Sequence, residues 1–490
     1  MQPSSAAAAA PFDLGNVKRL PILISLIIGA FFSILNETLL NIALVDLVED
    51  LGVSFTTVQW LSTSYMLTVG ILIPVSALLV QWFTTRQMFL GAMTLFSLGT
   101  LVCALAPEFY VLLIGRIIQA LGTGLMLPVL MNTVLVLYPP EKRGAAMGSI
   151  GLVIMFAPAI GPTLSGLILD ALEDWRWLFY LVLPFAIFSI GFAAVFLKNV
   201  SQVTKPKVDI LSIILSTIAF GGIVYGFSSL GGHGSEGSGW SDPKVYGTVI
   251  AGCAALILFV WRQLRMREPM LDIRAFKAPM FSFSTILILI VMMSLFSTLM
   301  LLPILMQTGM ALTAFAAGLV LLPGGIVNGF LSPITGKLFD KFGPRALVIP
   351  GSALLVLVMY CFTQISLETG KGTIILLHCM MSVGMAMIMM PAQTNGLNQL
   401  PPKYYPHGSA ILSTLQQVAG ALGIAFFISI MSSGQKDYLL GSADPTSPAA
   451  LASSVMTGIH DAFQVGMYFA IAALILSFFV KRVTSTKEGM

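Results

Sequence analysis

The sequence predicts an all-α polytopic membrane protein with fourteen transmembrane helices, and three observations predict it. Of 490 residues, 57% are hydrophobic and 9% charged, against about a quarter charged in a soluble chain. Apolar runs of about twenty residues, enough helix to cross about 30 Å of hydrocarbon, recur from end to end. The basic residues collect on one side of the topology those runs define.

Gly, Pro and charge punctuation divide the chain into spans at 20–46, 56–80, 87–106, 109–137, 146–170, 177–197, 209–230, 245–262, 280–305, 312–335, 345–366, 372–399, 408–433 and 460–480. With the N-terminus inside, twenty Lys and Arg face inward and four, Arg176, Lys244, Lys371 and Lys436, face outward, while Arg116 falls within a span. This positive-inside bias places both termini in the cytoplasm of a multi-pass cell-membrane protein, expected in a bacterial plasma membrane. Residues 1–17 read as a disordered N-terminus and 483–490 as a cytoplasmic tail. The first apolar run is longer than the core of a cleaved secretory leader and is kept as a helix.

Several functions are disfavoured. The net charge of +4 reads as topology signal, so no nucleic-acid partner is expected. Cys103, Cys253, Cys361 and Cys379 form no CxxC pair, which argues against a disulfide framework or a metal site. No GxxxxGK[ST] stretch provides an ATP site, and no constellation of acids, ligands or nucleophile and base marks an enzyme. No cofactor is expected. The lipid bilayer is the expected partner of a functional monomer, and an ion gradient is the expected energy source.

The chain contains a repeat. GKLFDKFGPR, Gly336 to Arg345, follows the tenth span, and ALLVQWFTTR, Ala77 to Arg86, follows the second, aligning at leucine, phenylalanine and the final arginine. The copies lie eight spans apart. Two six-helix halves alone would put them six apart, so two helices are inserted between the halves. The organisation is a first bundle at 18–200, an inserted pair at 201–266 and a second bundle at 267–482. The inserted pair is joined by GGHGSEGSGWSDP.

These residues, with LIGRIIQALGTG (113–124), APAIGPTLSG (157–166), WRWLFYLVLP (175–184), REPMLDIRAF (267–276) and QQVAGALGIA (416–425), resemble the major facilitator superfamily, in particular its fourteen-helix drug:proton antiporter branch. The variants LNETLLNIAL and FTTRQ look like the lincomycin-exporter type. The resemblance covers residues 20–480 and implies two bundles working by alternating access. It also implies that the first and fourth helices meet at a central cavity, and that Arg116 takes part in proton transfer. The family's helix-1 pattern has aspartate where this chain has Asn36 and proline where it has Val45.

Glu37 is the acid placed well inside a span. On a helix turning about 100° per residue, Asn36, Ser33, Glu37 and Asn41 share an arc of about 140°, and such a polar arc is expected to face a wet cavity or the bundle interior. Counted along their spans, Glu37 lies about 14 Å and Arg116 about 10 Å from the outer end, so the two can sit at similar depth. Burial favours a neutral carboxyl and a guanidinium favours an ionised one; a site balanced between them can load and release a proton. A fixed Glu37–Arg116 ion pair that only joins helices is the alternative.

Gln59, Tyr65, Asn132, Met381, Met385, Gln393 and Asn395 join Ser33, Asn36 and Asn41 as candidate substrate-cavity residues, the methionines because thioethers adapt to varied apolar molecules. Pro158, Gly161, Pro162 and Gly166 form the motif that the resemblance assigns to antiporters. Ala157, Gly161 and Ser165, at four-residue spacing, permit close helix packing. Gly336, Asp340, Gly343 and Arg345 form a gating loop, with Gly336 read as a turn glycine and Asp340 as a helix cap paired with arginine. The function expected is proton-coupled export of lipophilic drug-like compounds. The rivals are export of an endogenous lipid, peptide or metabolite by the same mechanism, and a non-transporting membrane sensor or scaffold.

Overall fold

The computed structural model describes residues 19–137, 140–197, 199, 209–229, 243–266, 269–401, 404–442 and 444–482. Among them are fourteen long helices and no strand. These are α1 (Arg19–Leu51), α2 (Trp60–Trp82), α3 (Thr85–Ala104), α4 (Phe109–Leu137), α5 (Pro140–Leu172), α6 (Trp177–Phe196), α7 (Ile210–Ser228), α8 (Pro243–Arg265), α9 (Pro279–Ile304), α10 (Ala314–Phe342), α11 (Arg345–Phe362), α12 (Lys371–Asn398), α13 (Tyr405–Gly441) and α14 (Pro448–Ser477). A one-turn helix, Phe55–Val58, precedes α2. Twelve helices contain stretches long and apolar enough to cross a membrane. In the other two, α2 and α5, several side chains lie outside those described.

Several helices outrun their expected spans. α1 has 33 residues, about 50 Å at 1.5 Å per residue, well beyond the hydrocarbon thickness that sets an apolar window. α14 begins at Pro448, not at 460, because Ser447 caps it by accepting from Ala450 N. α10 runs to Phe342, and Gly343, at φ 79°, ends it; that conformation suits a residue without a Cβ.

Helix packing recurs with an offset of eight. The pairs α1·α4, α1·α5, α1·α6, α2·α4, α3·α4 and α3·α6 are matched by α9·α12, α9·α13, α9·α14, α10·α12, α11·α12 and α11·α14. The two sets meet where α5 packs on α10, α2 on α13 and α1 on α9. α7 and α8 form a hairpin, with α7 also touching α2 and α13.

The α5–α10 seam is close enough to exclude side chains. A Cβ at Gly318 would stand 2.5 Å from Pro162 O, and one at Gly325 2.7 Å from Ala159 Cβ. One at Gly166 would run into the Ala314 backbone. Thr163 Oγ1 adds a hydrogen bond to Gly318 O at 3.0 Å. Gly161 instead admits Thr38 of α1, so the motif of α5 serves two neighbours.

Candidate functional site

α4 positions the site by pressing its glycines on α3. A Cβ at Gly122 would stand 2.7 Å from Phe96 N, and one at Gly115 2.6 Å from Cys103 Sγ. Arg116, Gln119 and Thr123, at i, i+3 and i+7, share a neighbouring face of the helix. Arg116 is fully buried. Its Nη1 donates to Asn36 Oδ1 at 2.6 Å and to Gln119 Oε1 at 3.0 Å, and Nε donates to Leu61 O at 3.4 Å. The guanidinium lies 4.1 Å from the centroid of the Tyr65 ring, where the ring's negative face attracts it. Gln119 Nε2 in turn donates to Thr100 Oγ1 at 2.8 Å, and the Tyr65 hydroxyl bonds Thr123 Oγ1 at 2.6 Å and Ser33 O at 3.3 Å.

Each of these acceptors is neutral. A buried cation needs compensation, and here it comes from charge-assisted bonds to amide and carbonyl oxygens, typically about 1.5–3 kcal/mol apiece. Asn36, not Glu37, faces the guanidinium. Glu37, one residue and about 100° further round α1, is half-buried and has no hydrogen bond or ion pair among the described residues. The fixed Glu37–Arg116 pair is therefore not the arrangement found. Glu37 borders a small cavity of about 10 Å³, shared with Asn41, Ser62, Tyr65, Met66 and Arg116 and closed by Phe296 of α9 and Ile424 of α13. The cavity thus lies where the two sets of helices meet.

The remaining candidates disperse. Gln59 is buried but donates to Ser228 Oγ of α7 at 2.9 Å, tying α7 to the start of α2. Met381 and Met385, 0% and 2% exposed, pack within the apolar core. Asn395 donates to Lys481 O at 2.9 Å, beyond the end of α14. Gln393 is half-buried on α12. The Asn132 side chain lies outside the described residues. Gln119, Thr123, Thr100 and Ser62 were not anticipated; the first two were legible from their spacing to Arg116 along one helix face.

The gating loop differs from expectation. Gly336 lies inside α10 and the turn glycine is Gly343. Asp340 sits in the last turn of α10, so it cannot cap a helix N-terminus, and its carboxylate has no ion pair among the described residues. Arg345 instead donates to Val480 O at 2.7 Å and Phe478 O at 3.2 Å, at the end of α14. In the first copy Arg86 donates to Ala194 O of α6 at 2.5 Å. Both repeat arginines satisfy carbonyls at the C-terminal end of the corresponding helix, where the helix dipole favours a cation.

At the end holding the α1 C-terminus lies a cavity of about 1040 Å³ lined by Asp46, Glu49, Asp50, Asp170, Glu173 and Asp174. Arg176 pairs with Asp50 at 3.5 Å and Asp174 at 3.4 Å, and Trp175 Nε1 donates to Asp50 at 2.8 Å. Gln307, on a π-helical turn after α9 (Leu305–Gly309), donates to Ile42 O of α1 at 2.9 Å.

Two similarly packed sets of apolar helices meet beside a buried cation and an adjacent acid, and the family match identifies this architecture as a polytopic transporter. The chain belongs to the Major Facilitator Superfamily, whose model matches residues 26–424. It is 54% identical over 467 residues to the lincomycin resistance protein LmrB of Bacillus subtilis, an overlap of 95% of this chain and 96% of that one. Identity to the LmrB of Listeria monocytogenes is 52% over 467 residues, 95% and 98% of the two chains. Among solved structures, an inward-facing, unoccupied bacterial homolog of the human lysosomal transporter Spinster shares the fold. Its TM-score is 0.69 at 13% identity, covering 94% of this chain and 97% of that one.

Proposed function

We propose that this protein exports lipophilic, drug-like compounds in exchange for protons, by alternating access, across a bacterial plasma membrane. The observation that carries the reading is the placement of Glu37. It is an acid with no fixed partner among the described residues, bordering a cavity to which α1, α2, α4, α9 and α13 all contribute, beside a cation whose bonds go to neutral groups. An acid so placed can exchange its proton without breaking a structural ion pair. The resistance named for the LmrB relatives, at 54% and 52% identity, supports a drug-like cargo.

In this reading all fourteen helices cross the membrane with both termini inside, and the acidic cavity opens outward. Residues 18–200 and 267–482 are the two bundles, and 201–266 supplies the hairpin between them. Glu37 loads a proton from outside and surrenders it inward as cargo competes for the same space. Cargo lies near the midplane between the bundles, as transporter folds generally arrange it. One acid at the cavity suits neutral or singly charged cargo, since a second buried positive charge would go uncompensated.

The test is Glu37→Gln in proteoliposomes loaded with labelled lincomycin under an imposed pH gradient. Gradient-driven transport should disappear while the protein remains folded; transport at the wild-type rate would refute the reading.

A further inference from the structure

Three polar groups converge on the cavity beside Glu37 without a partner among the described residues. Arg116 Nη2, on a fully buried side chain, donates to nothing. Ser62 Oγ, on a residue 4% exposed, is likewise unpaired. Asn41, 7% exposed, has a carboxamide that lines the same space and makes no hydrogen bond. Buried donors left bare forfeit their full desolvation cost, so native structures supply partners for them. The cavity measures about 10 Å³, close to the smallest space that admits one water, and a water needs two to four polar partners. Met66, Phe296 and Ile424 line it with hydrocarbon, and Thr38 and Tyr65, whose hydroxyls are bonded to Leu35 O and to Thr123 Oγ1 and Ser33 O, complete the lining.

We infer that this cavity is a binding site for one water, held by Arg116 Nη2, Asn41 and Ser62, which joins the guanidinium to the Glu37 carboxyl. The inference rests on the reading of Glu37 as the proton site and adds the carrier. The water accepts from Arg116 Nη2 and from Ser62 or Asn41, and it donates to Glu37. A proton arriving at the water oxygen releases one of the water's own protons to a carboxylate oxygen of Glu37. The incoming proton takes the lone pair that the Ser62 or Asn41 bond gives up, so at the water one O–H bond forms and one breaks, while the Glu37 O–H bond forms as the proton's bond to its hydronium carrier breaks; no electrons are transferred and the water is restored. Asn41 lies one turn along α1 from Glu37, about 6 Å, towards Val45 and Asp46 of the acidic cavity. The proton therefore reaches the water from that end, and Asn41 is a positioning residue.

Infrared difference spectroscopy of the full-length protein in proteoliposomes, in H2O and D2O, tests this. The protonated Glu37 carbonyl band is assigned by its loss in Glu37→Gln. In Asn41→Leu, close in volume but without polar atoms, and in Ser62→Ala, that band should move to higher frequency as its hydrogen bond is lost. Exchange of the Glu37 proton with the medium should slow about tenfold, the upper range for one net hydrogen bond. Asn41→Ser, which keeps a polar group, should fall between and stands in if Asn41→Leu fails to fold. Wild-type band position and exchange rate in every folded variant would overturn the site. A shifted band in a protein whose Glu37→Gln variant still transports on a pH gradient would keep the water site and remove the coupling role. Abolished transport with an unmoved band would do the reverse.

Discussion

Gly318→Ala tests whether the α5–α10 seam opens during transport. The new Cβ would stand 2.5 Å from Pro162 O and 2.8 Å from Thr163 Cα. Ordinary contact begins at 3.4 Å, so α10 must withdraw by about 0.9 Å, the difference between 3.4 and 2.5 Å. Both obstacles are backbone, so no rotamer change relieves them. Withdrawal also stretches the Thr163 Oγ1 bond to Gly318 O, now 3.0 Å. Overpacking of this kind costs about 1–3 kcal/mol. If another conformer parts the seam, that cost falls on this one alone and shifts their ratio by about 5- to 150-fold. The assay is the distance distribution between spin labels at Asp170→Cys and Ala311→Cys, both exposed. It is made in a background without Cys103, Cys253, Cys361 and Cys379. A longer-distance population should grow in Gly318→Ala. An unchanged distribution in folded protein would show that the seam does not part.

Arg116→Lys keeps the charge but cannot reach Asn36, Gln119 and Leu61 O as a planar fork. It should lose at least one charge-assisted bond, about 1.5–3 kcal/mol, together with gradient-driven transport; wild-type melting and transport would contradict the network. Asp209 is a test from the edge of the molecule. Burial pushes its carboxyl up, but Arg262, at 2.9 and 3.0 Å, and Ser212 outweigh burial and hold it below the usual carboxylate range. A folded-state value below the unfolded one stabilises the protein above the ordinary carboxylate pKa, and that stability is lost as pH falls through the lowered value. Asp209→Ala, which removes the α7 cap and the ion pair, should cost about 1 kcal/mol at neutral pH. The difference from wild type in melting temperature should shrink in acid, and a pH-independent difference would argue against the assignment.

Much of the architecture was legible in the sequence because membrane helices declare themselves by composition. Each of the fourteen expected spans overlaps one of α1–α14, since a backbone leaving water must satisfy its own hydrogen bonds and helix does this within one segment. The ends were less legible. Apolar windows mark the hydrocarbon, whereas α1, α10 and α14 stop where caps and positive-φ glycine stop them, as at Ser447 and Gly343. The repeat at Arg86 and Arg345 was visible, but its partners were not. Carbonyls at the ends of α6 and α14 carry no sequence signal and come within reach only through packing.

The sequence by itself determined that this chain is a helical membrane protein, that an acid and an arginine lie within its spans, and that glycines and prolines crowd α5 and α10. Composition and local periodicity act within one segment, so they need no knowledge of neighbours. Only the tertiary structure decided that Arg116 takes Asn36 and leaves Glu37 at a cavity, that Met381 and Met385 fill core, and that Asn395 anchors Lys481. Adjacent residues on α1 point about 100° apart, and which of them meets α4 depends on the rotation at which α1 docks. That rotation is set by contacts with helices from both halves of the chain, α4, α5, α6, α9 and α10 among them.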